Sequence, residues 1–207
     1  MSSDAAHERE PASPEVLEHV AGELRKRNME AIVVSDASQA RDEVLQRIPA
    51  GAEVHAGKSR TLEDIGVTPV LAVEGKYNYL RNVYLKMDRK TQMREIRKLI
   101  ASPDIMLGSA SAVTQDGILV AASATASQLG PYATGGGKVI LVVGSQKIVP
   151  DIASAFTRLR EHVLPWESSQ VRATLGIDSF VGKVLIIERE WVAGRITVVL
   201  VRQPVGI

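Results

Sequence analysis

Glycine, lysine and hydroxyl side chains in one short loop are the parts of an anion-binding site. Residues 57–61, Gly57-Lys58-Ser59-Arg60-Thr61, carry all three. Gly57 lets backbone approach a ligand, Ser59 or Thr61 can cap a following helix, and Lys58 or Arg60 can pair with a negative group. A plain helix cap with solvated charges explains the same residues. A second such stretch is Gly144-Ser145-Gln146-Lys147, which follows the apolar run 139–143 and precedes a helical pattern. There Gly144 and Lys147 have the order strand, glycine, loop, helix that phosphate loops use. The glycines at 135–137 are different. They come before the strand, and Val139 rather than a hydroxyl residue follows Lys138, so they read as a turn entering the strand.

Two further loops are candidates. Residues 108–117, GSASAVTQDG, join two apolar runs with ten small or polar residues, more than a hairpin needs. Ser109, Thr114 and Asp116 there can surround a small polar ligand, although Asp116-Gly117 alone also reads as a tight turn. Residues 123–130, SATASQLG, suit close packing on a sheet. Other chemistry lacks support. His7, His19, His55 and His162 are scattered without metal-ligand spacing, so no metal site is expected. Neither a G-x-S-x-G elbow nor a G-x-G-x-x-G fingerprint occurs. Trp166 and Trp191 are isolated and read as packing residues.

The elements that must position these loops alternate. Ser13-Pro14 starts a helix whose apolar face is Val16, Leu17, Val20, Ala21 and Leu24. A short strand at 31–34 precedes a helix with Ala37, Ala40, Val44, Leu45 and Ile48 on one face. A strand near 53–56 leads through the first loop to a short helix at 62–65, and 71–73 reads as extended. Residues 88–101 form an amphipathic helix with Met93, Ile96, Leu99 and Ile100 facing inward. Strands come next at 105–107, 118–122 and 139–143, then a helix at 150–163. Two strands, 183–188 and 195–201, close the chain as a hairpin turning at Ala193-Gly194. This order predicts an α/β fold: a mostly parallel sheet flanked by helices, with a C-terminal β-hairpin. Ligands in such sheets sit beyond the carboxyl ends of the strands. The apolar 196–201 segment either lies inside the sheet or pairs with a second copy of the chain as an exposed edge.

The chain has 207 residues, of which the first 12 read as a flexible tail and 13–207 as a single domain. Its 25 basic and 24 acidic residues leave a net charge of +1, so neither nucleic acid nor membrane is expected as a partner. Cysteine is absent, which removes disulfides and any iron–sulfur cluster held by thiolates of this chain. No signal peptide or transmembrane run is visible, and a cytoplasmic location is expected. No cofactor is expected.

The order of four stretches resembles a known family. GKSRTLEDIGV (57–67), LGSASAVTQDGILV (107–120), GGKVILVVGSQKIVPDIASAFTRLR (136–160) and GRITVVLVRQPVGI (194–207) are together similar to the LUD-domain family, named for lactate utilisation. The resemblance covers about three quarters of the chain, from near Gly51 to the end. It implies a fold like that of the ribose-5-phosphate isomerase, glucosamine-phosphate deaminase and CoA-transferase group. It also implies a role in a multi-subunit system that oxidises L-lactate to pyruvate, with partners that carry the iron–sulfur clusters.

Carried over position by position, the resemblance marks Gly57, Ser59, Thr61, Leu62 and Gly66, with Glu63 beside them. It marks Ala112, Thr114, Asp116 and Gly117 in the second stretch, and Val143, Gly144, Lys147, Ile148 and Val149 in the third. The chain departs from the family at Gln115, where relatives have a glutamate, and glutamine cannot act as a base or nucleophile. Residues 123–130 also lack the Asn-Arg pair of many relatives. Three functions are compatible with these residues. One is a lactate-utilisation subunit that binds a small organic acid or an iron–sulfur partner and has no redox centre of its own. Another is a free-standing isomerase or CoA-transferase type of enzyme. It would hold a phosphorylated or thioester metabolite with Lys58, Arg60 and Lys147 and use Glu63 or Asp116 as acid/base. The third is a binding module without chemistry.

Overall fold

The computed structural model describes residues 10–207. The expected tail lies largely outside the described residues. Where it enters them, the Ala12 N–H donates to the Ser145 carbonyl at 3.2 Å. Helix α1 (Pro14–Lys26) starts as its sequence dictates. Ser13 caps it by accepting from the Val16 N–H, Pro14 occupies the first turn, and Leu17, Val20, Ala21 and Leu24 are buried.

The remaining elements run in this order: β1 (Glu30–Val34), α2 (Ala37–Leu45), β2 (Glu53–Ala56), α3 (Arg60–Asp64), α4 (Val67–Ala72), β3 (Asn78–Tyr79), α5 (Leu80–Tyr84), α6 (Met93–Ala101), β4 (Ile105–Gly108), β5 (Ala112–Thr114), β6 (Leu119–Ser123), β7 (Lys138–Gly144), β8 (Ile148–Val149), α7 (Ile152–Arg158), α8 (Leu164–Leu175), β9 (Lys183–Ile187) and β10 (Ile196–Val201). The fold is α/β with a six-stranded parallel sheet flanked by helices. The sheet has the order β1-β10-β7-β4-β2-β3. A smaller four-stranded sheet, β8-β5-β6-β9, holds the antiparallel pairs.

The large sheet is covered on both faces, which explains its unbroken apolar strands. Along β7, Val139, Leu141 and Val143 face one core with α1 and the small sheet. Ile140 and Val142 face the other, with residues of α2, α3 and α4. The same alternation divides Ile196, Val198 and Leu200 from Val199 and Val201. A third cluster, Ala112, Val120, Val149 and Ala155, packs α7 on the small sheet.

Several elements differ from their sequence reading. Residues 71–73 belong mostly to helix α4, because Leu71 packs into the second core as part of a helical face. The helix expected over 150–163 begins at Ile152, capped by Asp151. It then runs through a π-type turn (Leu159–Val163) into α8, so Pro165 does not stop it. Of the glycines before β7, Gly135 ends a π-type turn (Pro131–Gly135), and Gly136 and Gly137 lead into the strand, as turn chemistry suggests. The two terminal strands are present and consecutive, with Gly194 at φ +68° between them. Each bonds in a different sheet: β9 lies antiparallel to β6, whereas β10 lies between β1 and β7, parallel to both. Thus 196–201 is an interior strand, and the edge it offered to a second copy is occupied. Trp191, read as a packing residue, is 94% exposed.

One buried side chain stands out electrostatically. His55 on β2 is 2% exposed, and neither ring nitrogen has a hydrogen-bond partner among the described residues. Its ring meets Tyr84 edge-on at 5.7 Å. Burial, helped by the nearby Arg81 charge, pushes its pKa down to about 4. Folded protein therefore binds fewer protons than unfolded chain between about pH 6.5 and 4. Stability from this group is complete above pH 6.5 and is lost as pH falls through that window. By linkage the loss is about 3 kcal/mol. His55→Leu is expected to resist acid better than the parent when urea midpoints at pH 7 and pH 4.5 are compared. An equal acid loss in both proteins would contradict this account.

Candidate functional site

Four neighbouring strands of the large sheet, β10, β7, β4 and β2, end on the same side. Their outgoing segments meet there: residues 202–207 after β10, the 3₁₀ turn Ser145–Lys147 after β7, Ser109 after β4, and residues 57–61 after β2. Ser59 caps α3 by accepting from the Leu62 N–H, which fixes the direction of the Thr61 side chain. The Ser145–Lys147 turn is tied to the last segment. The Ser145 hydroxyl donates to the Arg202 carbonyl at 2.8 Å, and Gln146 Nε2 donates to the Val205 carbonyl at 3.0 Å.

The centre is Lys147, 3% exposed. Its ammonium donates to Thr61 Oγ1 at 2.8 Å and to Ser109 Oγ at 3.0 Å. Burial is the main force on its proton and drags its pKa down to about 7. The Arg158 charge lowers it further, and Asp64 opposes them. Asp64 is itself held in place: it accepts from Arg60 Nε at 2.6 Å and from the Gly206 N–H at 3.0 Å. Gly206 has φ +77°, and a Cβ there would stand 2.1 Å from Thr61 Oγ1 and 2.8 Å from the lysine nitrogen. Only a residue without a side chain closes this side of the lysine.

Thr61, Ser109 and Lys147 form the floor of a cleft of about 540 Å³. Gly57, Lys58, Ser59, Arg60 and Thr61 make one wall and Ser109 to Ser111 another. The 123–128 loop and residues of α8, including Trp166, complete it. Tyr132 also lines it, with its hydroxyl held protonated by burial and hydrogen-bonded to the Ser109 backbone amide. Gly108 is required beside it, because a Cβ would lie 1.7 Å from the tyrosine oxygen. A larger hollow, about 720 Å³, opens at the amino ends of the strands between Glu30, Arg47, Asp104 and Lys138. The carboxyl-end cleft is the site that this sheet topology favours.

Of the residues singled out from sequence, Gly57, Lys58, Ser59, Thr61, Ser109 and Lys147 meet at the cleft. Gly144 stands behind it, where a Cβ would touch the Val205 backbone at 2.5 Å. The two candidate acid/base carboxylates are not brought there. Glu63 is exposed on α3. Asp116 pairs with Arg27 at 3.0 Å and accepts from the buried Thr114 hydroxyl, so Thr114 and Asp116 build the β5–β6 turn against α1. Of residues 123–130, read as packing on the sheet, Ala126 and Leu129 do pack on the core, whereas Ser123, Ala124, Thr125, Ser127 and Gln128 line the cleft. Asp64, Tyr132, Arg158 and Gly206 carried no local signal, because only the meeting of distant strands gives them a role. Among the described residues no group of three or more His, Cys, Asp or Glu could hold a metal ion. No helix among them is long and apolar enough to cross a membrane.

Comparison with known proteins agrees with this architecture. A crystal structure of a DUF162 family protein from Deinococcus radiodurans superimposes with a TM-score of 0.53 at 15% identity, covering 92% of this chain and 99% of that one. At that identity the likeness concerns the fold. No curated protein matches the chain. The sequence profile of the LUD domain matches residues 17–201, from α1 through β10 and including all three residues at the floor of the cleft. The chain therefore belongs to the LUD-domain family, which is associated with lactate utilisation.

Proposed function

We propose that the cleft binds a small organic acid and that the protein assists the oxidation of L-lactate to pyruvate as a subunit without a redox centre of its own. The observation that carries this reading is Lys147, a buried cation at the floor of a polar cleft with two hydroxyls on its nitrogen. A carboxylate entering the cleft gains a charge-assisted hydrogen bond from that ammonium in a low-dielectric setting. The Ser109 hydroxyl offers a second contact, suited to the 2-hydroxyl or 2-oxo group next to the carboxylate. Lys58 and Arg60 line the mouth and attract the anion.

Two-electron oxidation of lactate needs an electron acceptor. A chain without cysteine holds no thiolate-ligated cluster, which supports iron–sulfur subunits as its partners. The alternative of an isomerase or CoA-transferase type of enzyme using Glu63 or Asp116 draws less support, since neither carboxylate lines the cleft.

Calorimetric titration with L-lactate and pyruvate at pH 6.5 tests the binding step. Dissociation constants of about 1 mM or tighter are expected, the ordinary range for metabolites. Isolation of the tagged protein from its own cells tests the partner step, with iron–sulfur subunits expected in stoichiometric amount. Absence of binding together with recovery of the chain alone would remove this reading.

A further inference from the structure

The cleft floor has a second property that anion binding does not use. Ser109 is partly exposed and lines the cleft, whereas Lys147 lies behind it, buried, with the two side-chain heteroatoms 3.0 Å apart. The same nitrogen is also 2.8 Å from the hydroxyl of Thr61, which is buried. A nucleophile facing the ligand, a base behind it and a third group orienting the base is the arrangement by which hydroxyls are activated. We infer that Ser109 is an acyl-accepting nucleophile, Lys147 its general base and Thr61 a positioning residue, and that the cleft accepts the acyl group of an ester or thioester. This activity shares the cleft with the organic acid but stands on the geometry alone, independently of lactate.

Neutral Lys147 takes the proton of the Ser109 hydroxyl while Oγ bonds to the acyl carbon. The carbon–oxygen or carbon–sulfur bond of the substrate then breaks, and the departing alcohol or thiol leaves with the proton held by Lys147. Water then gives a proton to the same nitrogen as its oxygen bonds to the acyl carbon; the Oγ–acyl bond breaks, Oγ takes that proton back from Lys147, and the carboxylic acid leaves. The net reaction is hydrolysis, and it consumes one water. Tyr132, protonated and next to Ser109 in the cleft wall, supplies a donor for the oxygen that becomes negative. The base must be neutral, and a lysine whose pKa is lowered to about 7 is largely so at pH 8.

The lysine faces a defined set of charges. Arg158 and Asp64 act on it directly, and Arg60 acts through its ion pair with Asp64. The two properties of the cleft thus have opposite pH dependence. Carboxylate binding requires the ammonium and weakens as pH rises through about 7, and acylation requires the amine and strengthens.

The test uses the full chain and p-nitrophenyl acetate as the acyl donor. Release of p-nitrophenolate is monitored from pH 6 to pH 9, and the acetylated residue is located by peptide mass spectrometry. Expected results are acetyl on Ser109, a rate that rises through about pH 7, and loss of both in Ser109→Ala. Lys147→Met should slow the reaction by roughly 10³-fold. Lys147→Arg, which keeps the charge and fails as a base, should do the same if the methionine variant does not fold. Thr61→Val should shift the midpoint of the pH profile and Thr61→Ser should restore it, a readout that a merely structural role would not move. Acetyl on Lys147 with Ser109 unmodified, or unchanged release by Ser109→Ala, would overturn the inference. Lactate binding by the parent protein is read separately by calorimetry, so failure of the acyl chemistry and failure of the organic-acid reading are distinguishable.

Discussion

Lys147→Met is expected to melt at a higher temperature than the parent at pH 6 and to bind no organic acid. The parent protein keeps a cation fully inside the fold, and its pKa is lowered from 10.5 to about 7. Between those values the unfolded chain holds a proton that the folded chain lacks, so parental stability rises with pH across that window. Below about pH 7 the penalty is complete, about 5 kcal/mol by linkage. Methionine fills a similar volume without a charge. It leaves the Thr61 and Ser109 hydroxyls without the lysine, which takes back about 1–3 kcal/mol. The net gain at pH 6 is therefore about 2–4 kcal/mol, and it shrinks toward pH 10. Thermal melts of both proteins at pH 6 and pH 9.5, with lactate calorimetry at pH 6.5, check both parts. A variant that melts lower at pH 6 would show that the lysine is not under the strain its burial implies. Such a stability cost kept at the floor of a cleft is what a functional group looks like.

The second large effect lies at a buried ion pair that ties the segment before β10 to the turn before β7. Arg195 donates to Glu190 Oε2 from Nε at 2.9 Å and from Nη2 at 2.6 Å, with side chains 11% and 9% exposed. The same guanidinium donates to the carbonyls of Tyr132 at 2.8 Å and Gly136 at 3.2 Å. Burial pushes the Glu190 carboxyl upward, but the hydrogen bonds from Arg195 and from the Val192 N–H outweigh it, so its pKa is lowered. Arg195→Ala removes one partner and leaves behind a carboxylate and three carbonyls, those of Tyr132, Ala133 and Gly136. The expected loss is about 3–5 kcal/mol, seen as a lower urea midpoint. Glu190→Leu combined with Arg195→Met should lose much less, since it removes both charges at once. If the double variant loses as much as Arg195→Ala, the stapling of the two turns matters more than the charge pairing.

Much of this architecture is legible in the chain. Helix α1 is written in Ser13-Pro14 and in four apolar positions at helical spacing, and β4, β7 and β10 in runs of aliphatic residues. The short apolar stretch around Leu71 is ambiguous because a buried helix face and a buried strand look alike over so few residues. The terminal strands show the limit more sharply. A glycine turn between two apolar runs suggests that they pair. Which strand each one bonds is a property of the whole sheet, however, and here the two go to different sheets.

The site divides in the same way. Thr61, Ser109 and Lys147 stand out locally, but they are 86 and 38 positions from one another along the pairs that form. Their meeting depends on the order β10-β7-β4-β2, which no local pattern encodes. Asp116 shows the reverse error. A carboxylate before glycine in a polar loop looks chemical, and Arg27 of α1 captures it as a structural tie instead.

The placement of β10 also governs how the molecule comes together. Among the described residues β1 touches the sheet through β10 alone, in a register that sets Glu30 against Thr197, 167 positions away. The first strand made therefore has no place in the sheet until the tenth has arrived. Closing so long a loop is entropically costly and comes before any contact repays it. Assembly is consequently a high contact-order process, slow relative to a helical protein of equal size. Until β10 seats, the aliphatic flanks of β1 and β7 are open to pairing with other chains. The strand that completes the sheet also delivers residues 202–207 to Lys147, so the floor of the cleft closes in the same event as the fold.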